Sequence, residues 1–126
     1  MPAVPGEENE PLRQRLRAAV PHAMKSGDRV ALAALRGALA ALDNAEAVDP
    51  PAASPAAGAI ERSPIGVGAA ELPRRALSPD DVDRLVRAEI AEREAAAREY
   101  DRCGRPDRAQ RLRAEAAVLS AHLTGP

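Results

Sequence analysis

Between Asp28 and Glu46 the chain reads DRVALAALRGALAALDNAE, and its leucines, Leu32, Leu35, Leu39 and Leu42, fall at alternating spacings of three and four. That period gathers them into one stripe of an α-helix. Ala31, Ala34, Ala38, Ala41 and Ala45 flank the stripe and leave room for a close neighbour. Asp28 stands where its carboxylate can cap the first turn. The pattern predicts a helix that serves as the spine of a small bundle, with Leu39 central in its buried face.

The same periodicity recurs before and after this stretch. Leu12, Leu16, Ala19, Val20 and Ala23 predict a helix over about Pro11 to Ser26. Pro21 interrupts it and predicts a kink or a restart, because proline lacks the N–H and clashes with the carbonyl of Arg17. Gly27 reads as a left-handed stop. The short step to Asp28 forces the two helices antiparallel or steeply crossed. Further on, Ser78-Pro79-Asp80-Asp81 is a strong start signal: a capping serine, a proline in the first turn, then acids at the positive end of the dipole. Val82, Leu85, Val86, Ile90, Ala96, Ala97 and Tyr100 form the face that follows, and Gly104 ends it. Pro106 opens a last helix with Ala109, Leu112, Ala116, Leu119 and Leu123 on one side.

From Asp49 to Ala76 the pattern disappears. Pro50, Pro51, Pro55, Pro64 and Pro73, with Gly58, Gly66 and Gly68, mark a flexible linker. Its Gly66-Val67-Gly68 is a bare G-x-G without the strand and helix that a phosphate loop needs. Ile65 and Val67 read better as a hydrophobic latch onto the bundle. The expected fold is all-α: a disordered tail over 1–10, a helical hairpin over 11–48, the Pro/Gly/Ala-rich linker over 49–76, and a second hairpin over 77–126. The two hairpins pack as one bundle.

Composition narrows the chemistry. The chain has 126 residues, no Phe or Trp, and a single tyrosine, so its core must be aliphatic. Each fully buried large aliphatic contributes about 1.5–3 kcal/mol and alanine much less, which makes for a thin core. A net charge of −1 argues against a general polyanion binder. Cys103 is the only cysteine, so no internal disulfide can form, and it reads as an inert bystander thiol. The start, MPAVPGEENE, lacks the basic and apolar regions of a signal peptide, and no stretch nears the ~20 apolar residues of a membrane helix. The expected address is the cytoplasm.

The charged residues offer two candidate sites. Glu89 and Arg93, four apart with the acid first, fall inside the apolar face of the third helix. Glu46 continues the leucine stripe of the second helix, and Arg36 and Glu115 lie on the edges of theirs. Arg36, Glu46, Glu89, Arg93 and Glu115 are therefore a candidate polar network, either a ligand site or an ion-pair lattice tying helices together. A charge facing a core needs a partner or costs several kcal/mol, which favours the lattice. Arg13, Arg15 and Arg17 in the first helix, and Arg105, Arg108 and Arg111 stepping by three in the last, are candidate weak contacts to RNA phosphates. His22 and His122 lie in different helices without a third ligand, so no metal site is expected. No cofactor motif and no activated nucleophile is apparent, so no catalytic residue is assigned.

Several of these stretches together resemble the YqeY family, also described as GatB/YqeY domain proteins. Ala23-Met24-Lys25-Ser26-Gly27-Asp28, Leu35-Arg36 and Asn44-Ala45-Glu46 match its A-M-K-x-x-D, T-L-R and N-x-E. Leu77-Ser78-Pro79-Asp80-Asp81-Val82 is similar to L-S-D-E-E-V. Glu89-Ile90 with Arg93 follows E-I-K-Q-R, and Tyr100 with Gly104-Arg105 and Asp107 follows Y…A-G-R-x-D. Ala114-Glu115 with Val118-Leu119 matches the family's last helix. The sequence departs from the family at Ala34, where the pattern has threonine, at Leu112, where it has glutamate, in the longer 49–76 segment, and in lacking a second small helical domain.

The resemblance implies a helical accessory domain related to the helical end of the B subunit of glutamine-dependent aminoacyl-tRNA amidotransferase, which helps hold tRNA. It implies partners in tRNA itself, weakly, or in a tRNA-handling enzyme. Two other functions stand beside this one. The family name suggests a carbon–nitrogen ligase with glutamine as nitrogen donor, and the bundle alone is compatible with a purely protein-binding module.

Overall fold

The computed structural model describes residues 10–47 and 76–124. Among them there are four helices and no strand: α1 (Leu12–Ser26), α2 (Arg29–Glu46), α3 (Pro79–Arg102) and α4 (Pro106–Thr124). The 49–76 linker, with its Ile65–Val67 latch and its G-x-G, lies outside the described residues except for Ala76, as does the tail before Glu10.

Both tight connections use the same device. Gly27 takes a φ of 71° and Gly104 a φ of 73°, the left-handed conformation that glycine adopts without strain. At the first, the Gly27 N–H donates to the Met24 carbonyl and the Asp28 N–H to that of Ala23. At the second, the Gly104 N–H donates to the Asp101 carbonyl and the Arg105 N–H to that of Tyr100. These paired bonds satisfy carbonyls that a helix end leaves open. Asp28 then serves twice, because its side chain also accepts from the Ala31 N–H at 3.0 Å and caps α2. At the start of α3, the Ser78 hydroxyl accepts from the Asp81 N–H while the Asp81 carboxylate accepts from the Ser78 N–H, a reciprocal capping box. α1 runs on through Pro21, which sits on its exposed side, where water can meet the Arg17 carbonyl.

The spine expected from the leucine pattern is α2, which packs against α1, α3 and α4 alike, while α3 and α4 lie along each other. The core gathers Leu16, Ala34, Leu35, Ala38, Leu42, Val82, Val86 and Leu119. Leu39 is not at its centre. The buried arc of α2 runs through Ala34, Ala38, Leu42 and Leu35, and Leu39 and Leu32 sit at its margin, partly buried. Alanines are buried beside the leucines on α2, and Ala97 of α3 and Ala109 and Ala116 of α4 are buried as well.

The helices alternate in direction. Ala45 of α2 shares a groove with Leu77, Asp81 and Leu85 at the start of α3, and Leu12 and Arg15 of α1 share one with Val82 and with Leu123 of α4. Both glycine turns therefore lie at one end, and the helix termini at residues 12, 46, 79 and 124 lie at the other. No helix among the described residues is long and apolar enough to cross a membrane.

Candidate functional site

The structure divides the expected polar network in two and leaves one member out. Arg93, Glu89 and Glu115 come together where α2, α3 and α4 meet. Arg93 Nη1 donates to Glu89 Oε1 at 2.9 Å and to the Glu89 carbonyl at 3.1 Å, and its Nε donates to Glu115 Oε1 at 3.0 Å. Their side chains are only 14%, 19% and 12% exposed for Arg93, Glu89 and Glu115. Burial acts most strongly on Arg93 and disfavours its charge, but its hydrogen bonds to Glu89 and Glu115 and the charges of both acids together outweigh it and raise its pKa. The guanidinium lies over Gly37 of α2, where the absence of a side chain makes room for it.

Glu46 belongs to a second cluster at the other end. Arg13 Nη1 donates to Glu46 Oε2 at 2.6 Å, and its Nη2 donates to Asp43 Oδ1 at 2.6 Å and to Glu46 Oε1 at 3.0 Å. This fork–fork geometry staples the start of α1 to the end of α2. Arg36 joins neither cluster. It is exposed on α2, with its Nη2 at 4.0 Å from the Met24 sulfur.

Arg13 and Arg15, candidates for weak contacts to RNA phosphates, are engaged within the bundle. Arg15 Nη1 donates to the Glu10 carbonyl at 2.6 Å and its Nη2 to the His122 carbonyl at 2.7 Å, joining α1 to the end of α4. Nothing in a helical wheel announces such side-chain-to-backbone bonds. Arg17 remains exposed. His22 and His122, although on different helices, line one shallow groove because α1 and α4 run side by side there. Burial first, and the Arg15 cation second, lower the pKa of His122 below its ordinary value. Among the described residues, no group of three or more His, Cys, Asp or Glu is placed to hold a metal ion.

The candidate arginines of α4 and of the turn before it lie toward the turn end. A groove of about 560 Å³ opens there, lined by Tyr100, Asp107, Arg108, Arg111, Leu112 and Glu115. Arg108 sits over the Tyr100 ring, 5.8 Å from its centre. Arg111 Nε is 3.7 Å from Glu115 Oε2, an ion pair beyond hydrogen-bond length. Glu115 thus joins the buried network through one oxygen and the open groove through the other. Arg105 is exposed at the turn itself, next to the exposed Cys103. The arrangement suits recognition: two guanidiniums, two carboxylates and an apolar floor in a shallow concavity.

Comparisons with protein-family models, with curated proteins and with solved structures give no match to this chain.

Proposed function

We propose that this chain is a non-catalytic helical interaction domain that serves tRNA-handling machinery by binding one of its proteins, and that it adds only non-specific contacts to RNA. One observation carries this reading. Of the charged residues singled out in the sequence, Arg13 with Glu46, Arg15 with the His122 carbonyl, and Arg93 with Glu115 join different helices, and Arg108 and Arg111 line the turn-end groove. The first set supports a rigid scaffold. The second supports a docking surface.

The tRNA connection rests on the resemblance to the YqeY family. Glu89, Arg93 and Glu115, three of the residues that carry it, have an architectural use here that needs no substrate. Two of the six candidate arginines, Arg13 and Arg15, are engaged within the bundle, and Asp107 and Glu115 line the groove with two of the others, Arg108 and Arg111. A few contacts support only weak, salt-sensitive association with RNA.

The test is affinity capture of the full chain, with mass spectrometry and RNA sequencing on the same eluate. The expected result is a co-purifying protein that handles tRNA, with an RNA signal that falls away as salt rises. Release of ammonia from glutamine by the purified chain, in the presence of ATP and misacylated tRNA, would overturn the non-catalytic reading.

A further inference from the structure

The turn end concentrates the cations that this bundle does not use. Lys25, Arg29 and Arg36 lie around the first turn, and Arg105, Arg108 and Arg111 around the second. Among the described residues none of the six donates a hydrogen bond to a carboxylate, and the nearest approach is the 3.7 Å from Arg111 to Glu115. At the opposite end Arg13 holds two acids. The two glycine turns thus present a basic end.

Within it, the groove has a specific design. Arg108 and Arg111 are three apart on α4, neighbours on one helical face. Arg108 lies over the Tyr100 ring, its guanidinium carbon 5.8 Å from the centre, and among the described residues it donates to no carboxylate. Glu115 is turned toward Arg93, so Arg111 also keeps donors for another acceptor. A single carboxylate between the two forks would receive charge-assisted bonds from both. Leu112 and the exposed part of Tyr100 supply an apolar surface beside it.

Two features count against a nucleic acid there. A phosphate backbone is uniformly negative, and Asp107 and Glu115 would oppose it at close range. Arg108 already lies over the Tyr100 ring where a base would stack, and would compete with it. A protein segment can set a single carboxylate against Arg108 and Arg111 without running a line of negative charges past Asp107 and Glu115, and its aliphatic groups fit against Leu112. The volume of about 560 Å³ accommodates a few side chains rather than a whole helix.

We propose that the groove formed by Tyr100, Asp107, Arg108, Arg111, Leu112 and Glu115 receives a segment of a partner protein that places a carboxylate side chain beside an aliphatic one. This rests on the reading of the chain as an interaction domain, and it names the chemistry of the contact.

The experiment is selection of a random peptide library, displayed on phage, against the immobilised full chain, followed by titration of the enriched peptides. The expected peptides pair an acidic residue with a neighbouring Leu, Ile or Val. Arg108→Glu with Arg111→Glu should weaken them roughly tenfold or more. Arg108→Ala with Arg111→Ala, which adds no repulsion against Glu115, should also weaken them while the helical CD signal and melting temperature hold. Enriched peptides without an acidic residue would overturn the proposal. So would acidic peptides whose affinity survives both double variants, an outcome that places the contact on another face and leaves the interaction-domain reading standing. If no peptide is enriched while bulk tRNA binds with submicromolar affinity and loses it in the same variants, the groove belongs to RNA. If neither peptide nor RNA binds and affinity capture also returns nothing, both readings fail.

Discussion

The guanidinium of Arg93 occupies the space that a side chain on Gly37 would need: a Cβ at that position would lie 2.6 Å from Arg93 Nη2. A helix-interior glycine normally costs about 0.5–1 kcal/mol relative to alanine. On α2 that cost is offset by letting a charged side chain of α3 cross the helix while bonded to Glu89 and Glu115.

Gly37→Ala should therefore destabilise the protein, because the added methyl displaces a guanidinium held at several points. In an Arg93→Ala background the same change should instead stabilise by about 0.5–1 kcal/mol, the ordinary helix preference. Chemical denaturation of the four variants gives the coupling, expected at about 1–3 kcal/mol. Additive effects would mean that the two residues do not constrain each other.

Leu42 is fully buried and Leu39 only partly. Leu42→Ala should cost about 2–5 kcal/mol, as deep leucine truncations do. Leu39→Ala should cost clearly less. Equal losses in urea melts would return Leu39 to the centre of the core.

The α2–α3 connection should be replaceable. Ala45 and Leu77 line the same groove, so the two helix ends are close. Substituting about Pro50 to Pro73 with a short Gly/Ser link should preserve the helical CD spectrum, since closure entropy changes only slowly with loop length. Loss of the helical signal would show that this segment contributes to the core.

Stability should fall on mild acidification. His122 has its pKa lowered from the ordinary 6.5 by burial and by Arg15. The folded state therefore binds fewer protons than the unfolded state below that value. The contribution of His122 is fully present above about pH 6.5 and declines as pH drops from there through the lowered native pKa. His122→Gln should flatten this part of the stability–pH curve. A variant curve parallel to wild type would assign the slope to other groups.

The sequence made the local features legible and concealed the long-range ones. The Asp28 cap, the Ser78 capping box, the Gly27 and Gly104 stops and the Glu89–Arg93 pair each depend on residues within five positions, so spacing alone reveals them. Arg13 with Glu46, Arg15 with the His122 carbonyl, and Arg93 with Gly37 join residues on different helices. No periodicity records which helices are neighbours or how deeply they approach. For the same reason the wheel placed Leu39 at the centre of a stripe, whereas packing against three helices moved the buried arc toward Ala38 and Leu42. The groove was legible only as a step-of-three arginine stripe. Its tyrosine, its acids and its depth come from the way α3 and α4 pair.

The most direct test of the account is titration of the purified full chain with tRNA and with an unrelated folded RNA, at physiological salt and across a salt series. With Asp107 and Glu115 set beside Arg108 and Arg111 in the groove, the chain should bind both alike, at the ~10⁻⁴–10⁻⁶ M typical of non-specific association, and lose both as salt rises. Submicromolar binding that prefers tRNA and is abolished by Arg108→Glu with Arg111→Glu would contradict it, and would make the chain an RNA-recognition domain in its own right.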